Sequence, residues 1–255
     1  MQRYYNYACY DMISPDNSST NILFVFSCLF LSCFNTYGQR LIQIDQFSVE
    51  YYDSIRMLIN DTTKENYSIN AYRIVESEEI IIDGQLNESA WKNAERAGGF
   101  LESEPYQLVP MGEETEFAIL YDDENLYIGV WCWDSEPDKI IQRLAPRGHL
   151  AADRISIWID SFHDHRTGYR FMVSSTGVQA DDLRYDDIKQ DSNWNGIWYS
   201  AGSVDENGWY AEIKIPFYNL RYSGNTNQTW GLNIQRFISK DASRGQWKPM
   251  FLKLT

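Results

Sequence analysis

From residue 72 onward the chain consists of short runs in which apolar and polar side chains alternate, the period of a strand with one buried face. The clearest run is 154–160, where Ile155, Ile157 and Ile159 point one way and Arg154, Ser156, Trp158 and Asp160 the other. Residues 169–174 repeat the pattern with Tyr169, Phe171 and Val173 on one face. The runs 115–121 and 126–133 predict a hairpin across Asp122-Asp123-Glu124-Asn125. A second hairpin joins 197–204 to 209–215 across Glu206-Asn207-Gly208, and Pro216 stops it. Further strands are expected at 79–83, ended by Asp83-Gly84, at 230–238 and at 247–254. One short helix is expected, capped by Asn87 and running through Ala97, with Trp91 and Ala94 facing a sheet. Many short strands and a single helix predict an all-β fold, an antiparallel β-sandwich of the immunoglobulin or jelly-roll kind, over residues 72–255.

The N-terminal region has a different texture. Residues 22–34 (ILFVFSCLFLSCF) form an uncharged apolar run, shorter than the ~20 residues that span a bilayer. Its length suits the h-region of a secretory signal. Thr36 and Gly38 set cleavage before Gln39, although Arg3 is the one cation ahead of the run. Residues 1–38 are therefore expected to be a leader, and the protein to be periplasmic, outer-membrane-associated or extracellular. An uncleaved anchor and a buried helix are the alternatives; a lipoprotein signal at Cys33 fits less well, since Phe30 stands where Leu is preferred. Residues 39–71 are polar and weakly patterned, a linker or a loosely packed segment. Cleavage would leave Cys132 without a disulfide partner, and its phase with Leu126, Ile128 and Val130 marks it as a small buried residue.

Charge narrows the partners. With 36 acidic against 22 basic residues the chain carries −14, so a phosphate backbone is repelled and nucleic acid is excluded as a partner. Apolar residues at 44% suffice for a core, and nine Trp with eighteen Tyr supply rings that serve either a β core or a sugar-stacking surface.

Several segments, taken in order, are similar to carbohydrate-binding module family 9. They are IDGQLNESAW at 82–91, LYDDENLYIG at 120–129, Trp133-Asp134, DRISIWID at 153–160, HRTGY at 165–169, GWYAEIKIP at 208–216 and WGLNIQ at 230–235. The resemblance extends over roughly 80–254, and its order and spacing make it specific. It is closest to the version at the N-terminus of exported, Bacteroidetes-type proteins, which implies a following β-rich region as a partner. It also implies a non-catalytic domain that binds a glycan or oligosaccharide, in a protein linked to polysaccharide breakdown. Family members sandwich a terminal sugar between two Trp rings and fix its hydroxyls with polar side chains. Gln235 and Trp247 match that set, whereas Leu150 stands at the first platform Trp, Ser156 at a carboxylate and Met172 at an Arg. The family's calcium sites do not carry over, because the acidic loop after Gly168 is short.

The residues themselves offer further candidates. Trp194 and Trp198 flank Gly196 beside a polar loop, where rings next to Asn and Asp suit sugar contact. With Gln235 and Trp247 they form the expected carbohydrate-binding set. Trp131 and Trp133 share a strand face with Tyr127, either a platform or a second packed face. Trp209 and Trp230 read as core. His163-Asp164-His165 lacks the further ligands that zinc requires and reads as a solvated turn. Asp181, Asp182, Asp186 and Asp187, with Asp153 and Asp160, could offer oxygen ligands to Ca²⁺, though without EF-hand spacing. No other cofactor is expected. Nucleophile-elbow, zincin, P-loop and dinucleotide motifs are absent from the sequence. A binding module is thus the first reading. The second is a structural sandwich that has lost its sugar site and packs against a cell-envelope β-domain; an independent glycoside hydrolase is the third.

Overall fold

The computed structural model describes residues 67–248, except 76–77, 107–108, 187–188 and 225–226. The leader, the linker up to residue 66 and the end of the 247–254 run lie outside the described residues. In chain order the strands are β1 (Tyr72–Arg73), β2 (Arg96–Ala97), β3 (Leu101–Glu104), β4 (Thr115–Tyr121), β5 (Asn125–Trp133), β6 (Arg154–Asp160) and β7 (Gly168–Ser174). They continue as β8 (Gln179–Tyr185), β9 (Lys189–Asp191), β10 (Tyr199–Asp205), β11 (Gly208–Pro216), β12 (Gly231–Ile238) and β13 (Ser243–Gln246). Among the described residues one α-helix, α1 (Ser89–Asn93), joins β1 to β2.

The strands form two sheets. A six-stranded sheet runs β1-β4-β5-β11-β10 with β2 also on β4, and a seven-stranded sheet runs β3-β13-β12-β6-β7-β8-β9. Every pairing is antiparallel except the short one between β1 and β4. This is the expected β-sandwich. Alternation puts Phe117, Ile119, Ile128, Val130, Cys132, Trp209, Ile213 and Ile215 of one sheet against Ile155, Ile157, Ile159, Phe171, Val173 and Ile234 of the other. Each such side chain, fully buried, contributes ~1.5–3 kcal/mol. Cys132 is buried there and free, as its phase predicted, and burial pushes its thiol up to about 12.

One charged side chain crosses this core. Arg236 on β12 is fully buried. Its guanidinium donates to the carbonyls of Glu114 and Trp133, at 2.9 and 2.8 Å, and to Thr115 Oγ1 at 3.2 Å. It lies 3.4 Å from Asp134, which also receives Lys240 at 2.7 Å. The pair latches the seven-stranded sheet to the β4–β5 end of the other.

The outer face of the six-stranded sheet is covered by the chain itself. Ile80, Leu86, Ala90 and Trp91 pack on Ala118, Leu120, Tyr127 and Trp131, a second core. Trp131 and Tyr127 therefore belong to a packed face, and Trp133 meets Tyr210 edge-on at its border. Gly129 permits this close approach, because a Cβ there would sit 2.7 Å from Leu86 Cδ2 and 2.9 Å from Trp91. Glu212, fully buried on β11, anchors the covering segment. It accepts the N–H groups of Asp83 and Gly84, each at 3.0 Å, and Trp91 Nε1–H at 3.1 Å. Burial, with Glu88 adding repulsion, pushes its carboxyl up to about 7.

Some boundaries differ from expectation. The helix begins after Glu88, makes no side-chain cap, and stops at Asn93 because Arg96 and Ala97 pair with Ala118 and Phe117. Residues 79–83 form no strand: the Asp83 N–H turns to Ile81 C=O and to Glu212. Trp247 begins no strand, since its N–H closes on Ile234 C=O just past β13.

Candidate functional site

The outer face of the seven-stranded sheet presents three cross-strand rows. The middle row runs Gln246, Gln235, Ser156, Met172, Ala180 across β13, β12, β6, β7 and β8. On one side lie Asn233, Trp158, Arg170 and Asp182, and on the other Arg244, Phe237, Arg154 and Ser174. Trp158 and Phe237 are both half-buried rings. They sit in rows four residues apart along the strands, about 13 Å at ~3.3 Å per residue. Between them Ser156, Gln235 and Gln246 make no side-chain hydrogen bond to another described residue.

Charged groups frame this strip. Asp182 is buried and pairs with both Arg170 and Arg184, the latter at 3.0 Å, and accepts Gln190 Nε2–H at 3.1 Å. The two guanidiniums lie 4.9 and 5.4 Å from the Trp158 ring centre. Arg154 stacks on Phe237 at 4.0 Å, with Arg244 at 5.4 Å. Such stacks hold rings and cations in fixed positions.

The expected sugar-contact residues divide. Gln235 is half-buried in the middle row, beside Ser156 and two strands from Met172. Three positions at which the family resemblance implied ligand contact thus share one face. Trp198 and Trp247 do not join them. At 3% and 4% exposure both are core residues. Trp198 packs edge-on to Phe171 at 5.3 Å, and Trp247 edge-on to Phe117 at 4.9 Å. Their rings fill the space between the sheets, and neither offers a stacking surface as it stands. Trp194 is half-buried over Tyr169 and Phe171, at 5.3 and 5.7 Å. It covers the core end rather than the outer face. Trp209 is buried core as expected, and Trp230 packs against the core's edge beside Phe217. The residues that sequence reasoning passed over are Trp158, Phe237 and the arginines. Their signal was present in the strict alternation of 154–160, which turned Trp158 away from the isoleucines.

The aspartates offered for calcium are spoken for. Asp182 pairs with two arginines, Asp181 pairs with Arg147 at 2.9 Å, and Asp153 accepts the Ser239 N–H at 2.9 Å. Asp160 accepts the N–H groups of Asp164 and His165 in the turn. Asp186 pairs with Lys189 at 2.9 Å, and Asp187 lies outside the described residues. Among the described residues no three His, Cys, Asp or Glu side chains converge. His163 and His165 are exposed and meet edge-on at 4.9 Å.

A family profile described as carbohydrate family 9 binding domain-like matches residues 82–250. A crystal structure of a putative carbohydrate-binding protein from Bacteroides uniformis ATCC 8492 is 12% identical, with 72% of this chain and 91% of that one covered and a TM-score of 0.55. It supports the two-sheet fold. A family 9 carbohydrate-binding module from Caldicellulosiruptor kristjanssonii in complex with cellotriose is 14% identical, covering 69% of this chain and 82% of that one, TM-score 0.48. The module from the same organism in complex with glucose is 16% identical, covering 69% and 85%, TM-score 0.47. No curated protein matches the sequence.

Proposed function

We infer that this chain, which belongs to the carbohydrate family 9 binding domain-like family, holds a glycan on the outer face of its seven-stranded sheet without catalysing its breakdown. The observation that carries this reading is the row of Ser156, Gln235 and Gln246, whose side chains make no hydrogen bond to a described residue and which is set between two aromatic rings. Carbohydrate recognition needs that combination. A ring covers the C–H face of a pyranose, while amide and hydroxyl groups exchange hydrogen bonds with its hydroxyls. The hydrophobic run at 22–34 supports export, and the family supports a role beside polysaccharide-degrading enzymes and a following β-rich domain.

The test is calorimetric titration of the full chain with cello- and xylo-oligosaccharides. Saturable binding is expected, weakened about tenfold by Gln235→Ala or Trp158→Ala with the circular dichroism spectrum unchanged. No heat with any member of this panel or with an acidic oligosaccharide such as trigalacturonate would refute glycan binding. Release of reducing sugar by the purified chain would refute the non-catalytic role.

One observation favours a second reading, in which the sandwich is structural and packs against a cell-envelope β-domain. Trp198 and Trp247 are buried, and Leu150, Ser156 and Met172 replace the family's contact residues. Saturable binding in the same titration decides against it.

A further inference from the structure

The four arginines on the outer face of the seven-stranded sheet are not equivalent. Arg170 and Arg184 share Asp182, and Arg244 pairs with Glu104 at 3.1 Å. Arg154 forms no ion pair with any described residue. It donates to the Leu150 carbonyl at 3.5 Å, a long contact, and lies flat on Phe237. It is half-buried in the middle strand β6, flanked along its row by Phe237 and Ser174 and next to Ser156. Four guanidiniums against the three carboxylates of Asp182, Glu104 and Asp160 leave this patch cationic on a chain of net charge −14.

A half-buried cation without a counter-ion is costly, and proteins normally pair it. Burial lowers the pKa of Arg154, and its neighbours Arg244 and Arg170 push it the same way. Asp153, the nearest acid in sequence, is already bonded to the Ser239 N–H. A guanidinium matches a carboxylate in two parallel hydrogen bonds. Beside it, Ser156, Gln235 and Gln246 can bond hydroxyls.

We propose that the saccharide held on this face is acidic, and that Arg154 recognises the carboxylate of a uronic acid residue. The inference rests on the glycan-binding reading above and specifies its ligand class. Arg170, Arg184 and Arg244, each already paired with a carboxylate, position the rings, and the net charge they leave adds attraction at longer range.

The experiment titrates the full chain, and its Arg154→Gln and Arg154→Lys variants, with trigalacturonate, its methyl ester and cellotriose. Trigalacturonate is expected to bind the wild type at least about tenfold more tightly than the ester, with affinity falling as salt rises. Arg154→Gln should abolish that preference by bringing trigalacturonate affinity down to that of the ester. Arg154→Lys, which keeps the charge but not the fork, should retain an intermediate preference and serves if the glutamine variant does not fold. Equal binding of acid and ester, or an unchanged preference in both variants, overturns the proposal. Binding of cellotriose alone overturns it while leaving glycan recognition intact. Binding of none of the three overturns it together with the reading beneath it.

Discussion

Replacing Glu212 by glutamine isolates what one buried carboxyl does for the fold. In the native protein its carboxyl is raised from 4.5 to about 7, chiefly by burial. Between those values the folded state keeps a proton that the unfolded state has lost, so stability falls as pH rises through this window. A difference of about 2.5 units at 1.36 kcal/mol each corresponds to about 3 kcal/mol, fully present below pH ~4.5 and gone above pH ~7. Glutamine cannot ionise and so lacks this dependence. It also cannot satisfy all three donors of Asp83, Gly84 and Trp91, because one end of the amide is itself a donor. That mismatch costs about 1–3 kcal/mol at every pH. Urea unfolding of both proteins from pH 4 to 8 gives the difference curve, from which the other titrating groups cancel. The wild type should lead by about 1–3 kcal/mol at pH 4, and the difference should shift by about 3 kcal/mol by pH 8, leaving the two level or the variant ahead. A flat difference curve would mean that Glu212 ionises as easily folded as unfolded, and the account of the covering segment's anchor would be wrong.

Arg236→Met strips the buried guanidinium from Asp134 and from the carbonyls of Glu114 and Trp133, and should cost about 3–5 kcal/mol by denaturant unfolding. Its replacement by lysine should recover only part. Gly129→Ala forces a methyl into Leu86 and Trp91 and should cost about 1–3 kcal/mol. A Leu86→Ala background should relieve much of it, which a double-mutant cycle would read. Trp198→Ala should cost about 3–5 kcal/mol while leaving glycan affinity of the remaining folded protein unchanged, the opposite of Trp158→Ala.

The two-sheet fold was legible because alternation is a direct imprint of a half-buried strand. Ile155, Ile157 and Ile159 could face one way only, and their outward partners followed. Strand β8 escaped notice because its sequence, QADDLRY, lacks an apolar alternation; its outward Asp182 is buried by two arginines instead. Burial of a charge through partners on neighbouring strands leaves no local pattern to read. The tryptophans misled for a related reason. A ring next to Asn and Gly in a loop reads as exposed, yet the loop carrying Trp198 folds inward over Phe171. Only three-dimensional neighbours distinguish a plug from a platform. Gln235, Ser156 and Met172 lie far apart in the chain, and register alone brought them into one row.

The covering segment on the six-stranded sheet divides the sandwich into a committed side and a free one. Around Trp91, Gly129 and Glu212 almost any exchange disturbs the packing that makes the domain stand. Across the sheet, residues such as Ser156, Met172 and Gln235 hold nothing up. Selection or an engineer can therefore rewrite that palette of side chains to suit a new ligand while the scaffold beneath stays as it was.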